Sequence, residues 1–373
     1  MNTPEFALNY SEKVIFKLRS LYSKCGYSPY RMSKFEEYDL YARNKDFLIS
    51  DSIITFTDTN GKLMALKPDV TLSIIKNSKD TPSSVQKVYY NENVYRISKG
   101  THSFKEIMQV GLECFGDVDI YNTSEVLSLA CKSLKAISDN SVLYISHLGI
   151  LTSVFDAFDI PSYARQNILK LISEKNTHEL NKICSEIDLD DSKTEIIKNI
   201  INTSGNKASV LPYLYNLLSD LDCKESIDEL SQILDTLDDT DDMIKIDFSV
   251  VSDTHYYNTI VFKGFIEGIP SSVLSGGQYD KLMEKMKRKS KAIGFAIYLD
   301  MLERLDNIES DCDVDVVVIY GANTKPTTVS STVSEIQKKG LSVLACKNIP
   351  DNLKFKEIVN LIEREVNTDE EYA

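Results

Sequence analysis

Gln109 and Glu113 stand two positions either side of Gly111 in the stretch from Ile107 to Phe115. Successive side chains of a strand point to opposite faces. Gln109, Gly111 and Glu113 therefore share one face with Ile107 and Phe115, and Met108, Val110, Leu112 and Cys114 share the apolar other. A carboxylate can accept from an ammonium or an imidazole N–H, and an amide can donate or accept. The glycine between them leaves room for a ligand to approach the sheet. This is the chemistry of recognition. The same alternation also describes an antiparallel strand with one core face and one solvated face. Other polar residues have two readings as well. Asp69 and Thr71, in Leu66-Lys67-Pro68-Asp69-Val70-Thr71, carry a helix-start signal but could face a ligand's amino group. Tyr256 and Tyr257 can offer hydroxyls to a ring nitrogen or fill a core. Arg96 can meet a ligand carboxylate or bridge across a sheet. His102, alone in a loop, reads as a solvated residue.

The bulk composition excludes several classes. The chain has 373 residues, 42% apolar and 26% charged, enough for two or three domains of an ordinary globular protein. A net charge of −14 argues against non-specific nucleic-acid binding, which needs a basic face. Seven dispersed cysteines without a CxxC fit reduced thiols of a cytoplasmic protein, not a disulfide frame or a zinc site. No motif asks for a metal or cofactor, and GANTKP lacks the spacing of a phosphate-binding loop. No apolar run approaches the roughly 20 residues that span a bilayer. The N-terminal residues lack the layout of a signal peptide.

The elements that must position these residues follow from periodicity. Ser11 to Cys25 is an amphipathic helix stopped by Gly26. Ser52 to Ala65 is a hairpin around Asn60-Gly61, and Gln86 to Gly116 is a longer one whose turn is Lys99 to Ser103. Thr123 to Ile137 is expected to be a helix capped by Thr123 or Ser124, followed by a strand over Ser141 to Ile145. From about Leu151 to Met243 the spacing predicts four or five helices. Strands are expected over Ile244 to Val251 and Thr259 to Phe265. Ser275 to Asp280 reads as a glycine turn opening a short helix, and Lys291 to Leu299 as the entry to another helix that ends near Leu305. The tail reads as strand (Asp313–Tyr320), helix (Val329–Lys338), strand (Leu341–Ala345) and terminal helix (Leu353–Val366).

In this order the pieces resemble the class II aminoacyl-tRNA synthetases, specifically the histidyl-tRNA synthetase branch. Leu66-Lys67-Pro68-Asp69-Val70-Thr71 is similar to that family's Leu-Arg-Pro-Glu-x-Thr segment. Val94-Tyr95-Arg96 through Gln109-Val110-Gly111-Leu112-Glu113 resembles motif 2. Tyr256-Tyr257-Asn258 with Gly276-Gly277-Gln278-Tyr279-Asp280 resembles the histidine-specific region, and Ala292 to Ala296 the entry to motif 3. The resemblance covers residues 1 to about 305. It implies an α+β fold, a class II synthetase-like antiparallel sheet flanked by helices. The core would be residues 1–150 and 244–306, with a helical insertion at 151–243 and a small α/β domain at 311–373. It also implies a histidine-like pocket formed by Asp69, Thr71, Arg96, Gln109, Glu113, Tyr256 and Tyr257.

The departures point away from adenylation. The motif 2 glutamate that meets the adenine end of ATP falls on Ser98, and the motif 3 arginine that holds its phosphates falls on Met301, with Arg304 a turn away. The arginine that serves histidine activation falls on Ser252, and the motif 1 proline on Ser33. Charge developing on phosphate oxygens needs guanidinium groups, which a thioether or a hydroxyl cannot replace. This pattern is similar to the regulatory-subunit family of ATP phosphoribosyltransferase, a non-catalytic branch beside the histidyl-tRNA synthetases. That resemblance implies a short-form catalytic subunit as partner, a homodimeric core built near Leu8 to Tyr41, and a part in feedback inhibition by free histidine. An active histidyl-tRNA synthetase with a truncated anticodon-binding domain is the alternative, and a stand-alone histidine sensor or tRNA-mimic interaction module is a third reading.

Overall fold

The computed structural model describes residues 8–45, 48, 53–97, 103–237, 242–251, 256–302 and 312–362. Ser98, His102, Ser252 and Arg304 lie outside these residues, as do the ends of the helices expected near Leu305 and Val366. The chain forms two compact units, one of them Val14–Leu302; the described part of the other is residues 8–13 and 312–362.

The first helix, α1 (Tyr10–Lys24), buries Val14, Ile15, Leu18 and Tyr22 on one stripe, and Gly26 at φ +82° follows it. Next come β1 (Ser28–Pro29), β2 (Phe35–Glu37), α2 (Tyr38–Ala42), β3 (Thr55–Thr57) and β4 (Leu63–Leu66). β2, β4 and β3 form a small antiparallel sheet, with Gly61 at φ +80° in the β3–β4 turn. α3 (Thr71–Asn77) leads to the long hairpin, β5 (Gln86–Ile97) and β6 (Phe104–Gly116), paired continuously from Gln86↔Phe115 to Ile97↔Phe104.

α4 (Ile120–Ile137) starts three residues before the position expected from sequence. Asp119 is its cap and accepts from the Asn122 N–H, while Asn122 returns a bond to the Asp119 N–H. Thr123 and Ser124 sit inside the first turn and donate to the carbonyls of Asp119 and Ile120. They look like caps because small hydroxyls favour both places. β7 (Ser141–His147) and α5 (Leu148–Ala157) follow. Five helices occupy the next stretch: α6 (Ser162–Ser173), α7 (Thr177–Glu186), α8 (Asp191–Asn202), α9 (Lys207–Leu217) and α10 (Lys224–Asp235), with the short β8 (Ser204–Gly205) between α8 and α9.

Then come β9 (Ile244–Asp247), β10 (Ile260–Ile266), β11 (Leu274–Gln278), α11 (Asp280–Lys285) and β12 (Lys291–Tyr298). Two expectations are corrected here. Gly276 and Gly277 lie within a strand paired with β10 and β12, and they are glycines for close packing: side chains there would run into the Phe262 ring, the Gly294 carbonyl and the Tyr257 ring. Lys291–Tyr298 is a strand, and a 3₁₀ turn covers Leu299–Leu302. An apolar run buried on both faces has no period to separate strand from helix, and this one is flanked by β6 and β11.

The main sheet runs β1-β5-β6-β12-β11-β10-β7-β9-β8. It is mixed rather than antiparallel: β1 lies parallel to β5 and β7 parallel to β9, and the six strands from β5 to β7 alternate in direction. In the other unit β13 (Val314–Ile319), α12 (Pro326–Lys338), β14 (Val343–Cys346) and β15 (Phe355–Asn360) form a parallel sheet in the order β14-β13-β15. α12 begins earlier than expected because Pro326 takes the first turn, where its missing N–H costs nothing. Residues 355–360 form a strand rather than a helix, paired along β13 from Val314↔Phe355 to Ile319↔Asn360.

Candidate functional site

The centre of the large sheet opens into a cavity of about 330 Å³. β6 supplies its floor with Gln109 and Glu113. Asp69, just before α3, and Thr71, its first residue, come from one side, and β5 supplies Tyr90 and Arg96. The segment before β10 supplies Tyr256 and Tyr257, the residue between β11 and α11 is Tyr279, and β12 supplies Gly294 and Tyr298. All seven residues that the sequence marks as a pocket line this single cavity.

The face of β6 that the alternation left open to solvent is dry. Gln109 is 3% exposed and Glu113 2%. This face of the strand is closed to solvent by residues from distant segments, Thr71 and Tyr279 among them, that lie over it. Its glycine partners make this possible. A side chain at Gly111 would collide with the Tyr90 hydroxyl and the Phe295 carbonyl, and one at Gly294 would occupy the place of the Glu113 carboxyl.

The Glu113 carboxyl is held at both oxygens by neutral donors. Thr71 Oγ1 donates to Oε1 at 2.7 Å and the Tyr279 hydroxyl to Oε2 at 2.6 Å. Among the described residues no Lys, Arg or His is ion-paired with it. Burial pushes its pKa up to about 8, against the lowering effect of the two hydroxyls, and the neighbouring Asp69 adds to the rise. Asp69 is raised too, chiefly by burial, with the Leu72 N–H and the Arg96 guanidinium opposing. Asp69 Oδ1 accepts from the Leu72 N–H at 2.9 Å, so it satisfies a donor in the first turn of α3 from just before its Val70 cap, and it lines the cavity as well. The helix-start reading and the pocket reading are therefore compatible.

Arg96 anchors the same segment, its Nε donating to the Pro68 carbonyl at 3.1 Å. Lys67, fully buried, points its ammonium at Glu92 Oε2 at 2.8 Å. The Tyr256 ring stacks edge-on to Tyr257 at 4.8 Å between centroids and lies 5.7 Å from Tyr279. The cavity thus offers two buried carboxyls, an amide, hydroxyls and one arginine around an aromatic wall. That set suits a small ligand that carries both cationic or N–H donor groups and an acidic group.

Sequence reasoning passed over Tyr90, Lys263, Ser275, Tyr279 and Tyr298, which also line the cavity. Tyr279 had a signal: it sits directly after a Gly-Gly-Gln run. Tyr90 and Tyr298 had none, because a tyrosine in a strand reads as core until its neighbours are known.

The six alternating strands, the long β5–β6 hairpin and a cavity at its base define a class II aminoacyl-tRNA synthetase-like core. The chain belongs to the histidyl-tRNA synthetase family, whose family model matches residues 3–302. An ATP phosphoribosyltransferase regulatory subunit from Oceanobacillus iheyensis is 26% identical over 294 residues, covering 78% of this chain and 72% of that protein. A histidine–tRNA ligase from Methanococcus vannielii is 28% identical over 313 residues, covering 80% and 72%. Among solved structures, an ATP phosphoribosyltransferase regulatory subunit/histidyl-tRNA synthetase from Bacillus halodurans C superposes with a TM-score of 0.76 at 18% identity, covering 94% of this chain and 93% of that one. A chain of an ATP phosphoribosyl transferase complex from Thermotoga maritima does so with a TM-score of 0.60 at 21% identity, covering 77% and 96%.

Proposed function

We propose that this chain is a non-catalytic regulatory subunit of ATP phosphoribosyltransferase. In this reading it activates a short-form catalytic subunit and takes part in feedback inhibition by histidine, which the cavity binds through Asp69, Thr71, Arg96, Gln109, Glu113, Tyr256 and Tyr257. The observation that carries the reading is a contrast between the cavity and the turn that follows β12. The recognition set is gathered in one cavity, while the turn at Leu299–Leu302, where an adenylating relative needs an arginine, carries Met301 beside the Ser271 hydroxyl. A thioether gives a transferring phosphate no positive charge. The regulatory-subunit relative and the complex from Thermotoga maritima support the same assignment.

A homodimeric core belongs to this proposal. Phe35 and Phe56 pack edge-to-face at 5.3 Å on the small β2–β4–β3 sheet and stay 48% and 38% exposed, which is the kind of apolar surface a second copy would cover. Residues 151–243 would form a helical insertion and residues 311–373 a small tail domain. Among the described residues no helix is long and apolar enough to cross a membrane.

The test is reconstitution. The purified chain should show no phosphoribosyltransferase activity of its own. It should raise that of a short-form catalytic subunit, and histidine should lower the rate of the complex. An unchanged partner rate would overturn the proposal. The histidine–tRNA ligase relative keeps a second reading in view. Histidine-dependent ATP–pyrophosphate exchange would establish that reading instead, and none is expected.

A further inference from the structure

We infer that Asp280, which does not line the cavity, is the positioning residue that sets the tyrosine wall around Glu113. Asp280 is the first residue of α11, and its carboxylate takes three hydrogen bonds from three segments. Oδ1 accepts from the Ala292 N–H on β12 at 2.9 Å. Oδ2 accepts from Gln278 Nε2 at 2.9 Å and from Asn258 Nδ2 at 3.2 Å. The Asp280 N–H in turn donates to Asn258 Oδ1 at 2.8 Å, so Asp280 and Asn258 bind each other reciprocally. The Asn258 N–H donates to the Gln278 carbonyl at 3.0 Å, and the Tyr279 N–H to the Ala292 carbonyl at 2.9 Å.

Three of the cavity tyrosines are next to that knot. Tyr256 and Tyr257 immediately precede Asn258, and the Tyr257 ring fills the space above Gly277. Tyr279 immediately precedes Asp280 and delivers its hydroxyl to Glu113. The reciprocal pair with Asp280 reinforces the backbone bond that Asn258 makes to the end of β11. A charged acceptor shared by three donors is stronger than neutral pairs and fixes their relative places. Asp280 therefore acts on the ligand site through the tyrosines rather than by contact.

The donor and acceptor pattern gives a discriminating test. In Asp280→Asn, the new amide must set a donor against a donor. If Asn258 keeps its orientation, its Nδ2 faces the new amide nitrogen; if it flips, its Nδ2 faces the backbone N–H of position 280. The exchange D280N/N258D resolves both clashes. The amide oxygen introduced at position 280 still accepts from the Ala292 N–H, and the amide nitrogen donates to a carboxylate at position 258, which also accepts from the backbone N–H of position 280. The Thr259 hydroxyl, now an acceptor from Asn258 at 3.0 Å, can rotate to donate, and Gln278 can turn its amide.

This inference rests on the histidine reading only for its binding readout, so a second readout is independent of any ligand. Carbon-13 NMR of the Glu113 carboxyl in the full chain follows its titration, and calorimetry follows L-histidine binding. D280N should raise the Glu113 titration above its wild-type position, because the Tyr279 hydroxyl no longer stabilises the ionised form. It should also weaken histidine binding by about tenfold, the scale of one charge-assisted hydrogen bond. D280N/N258D should restore both. A titration unchanged in D280N, or displaced in a folded D280N/N258D, overturns the inference even if the single variant fails to fold. If wild-type chain binds no histidine while the titration moves and is restored, the positioning role stands and the histidine reading falls.

Discussion

Gly294 and Glu113 are direct partners across β12 and β6, and the absent side chain of the one is the space occupied by the carboxyl of the other. A Cβ at 294 would overlap Glu113 Oε2 and stand 2.5 Å from the Leu112 carbonyl. The alanine variant G294A must therefore move either a carboxyl held by two hydroxyls or the backbone of a central strand. The expected cost is roughly 1–3 kcal/mol of stability, the usual range for overpacking. Histidine binding should fall with it. Thermal unfolding and calorimetry check both, and unchanged binding would mean that the Glu113 position is not what the ligand reads.

Glu113 makes stability depend on pH in a defined direction. In the folded chain it keeps its proton up to about 8, whereas an unperturbed glutamate loses it near 4.5. Between those values the folded state binds more protons than the unfolded state, so stability falls as pH rises. Asp69 contributes in the same direction. Glu113→Gln cannot ionise, and Thr71 and Tyr279 can still bond to its amide. It should flatten the profile in this window and leave the variant more stable than wild type at about pH 9. Urea midpoints at about pH 5, 7 and 9 give the comparison, and a wild-type profile that rises across the window would contradict it.

The Lys67–Glu92 pair holds the segment that carries Asp69 and Thr71. Lys67 is fully buried and burial lowers its pKa, while Glu92 keeps 17% of its side chain exposed. Removing one member of a buried pair strands the other charge, a loss of about 3 kcal/mol at the low end for a partner that still reaches water. Lys67→Met should show that loss in urea unfolding. The double variant K67M/E92M should recover most of it, because neither charge is then left alone. Equal losses in the single and double variants would mean that packing of the lysine stem, not its charge, is what matters.

The site was legible in the sequence to the extent that chemistry shows in residue type. Gln109 and Glu113 on one strand face and the Asp69–Thr71 pair could be named without coordinates, and the cavity brings them together; Gly111, on the same face, is covered by the Tyr90 hydroxyl rather than open to a ligand. The burial of that face could not be read. Whether a strand face is wet depends on what lies over it, and here the covering residues come from positions as distant as Asp69 and Tyr279. The hairpins and amphipathic helices were legible because each is set by local turns or by a period. Lys291–Tyr298 and Gly276-Gly277 were not. A strand buried on both faces carries no alternation, and a glycine pair in a strand for close packing looks the same as one in a turn. Residues 355–360 take strand form through pairing with β13, which sits about forty residues earlier in the chain.

Asp119 separates local from site effects. It caps α4 by accepting from the Asn122 N–H at 2.9 Å, and Asn122 closes the reciprocal bond to the Asp119 N–H at 3.3 Å. α4 buries Val126, Leu127, Ala130 and Leu134 but supplies no residue to the cavity. Asp119→Ala removes one acceptor from the helix N-terminus and the favourable charge beside it, a cost of about 1 kcal/mol. Asp119→Asn keeps the acceptor and loses only the charge, so it should cost a few tenths of that. Neither change should alter histidine binding or the Glu113 titration. If D119A weakened binding as much as G294A, the sheet would be transmitting strain from α4 to β6. The cavity would then depend on the helix layer as well as on the strands and loops that line it.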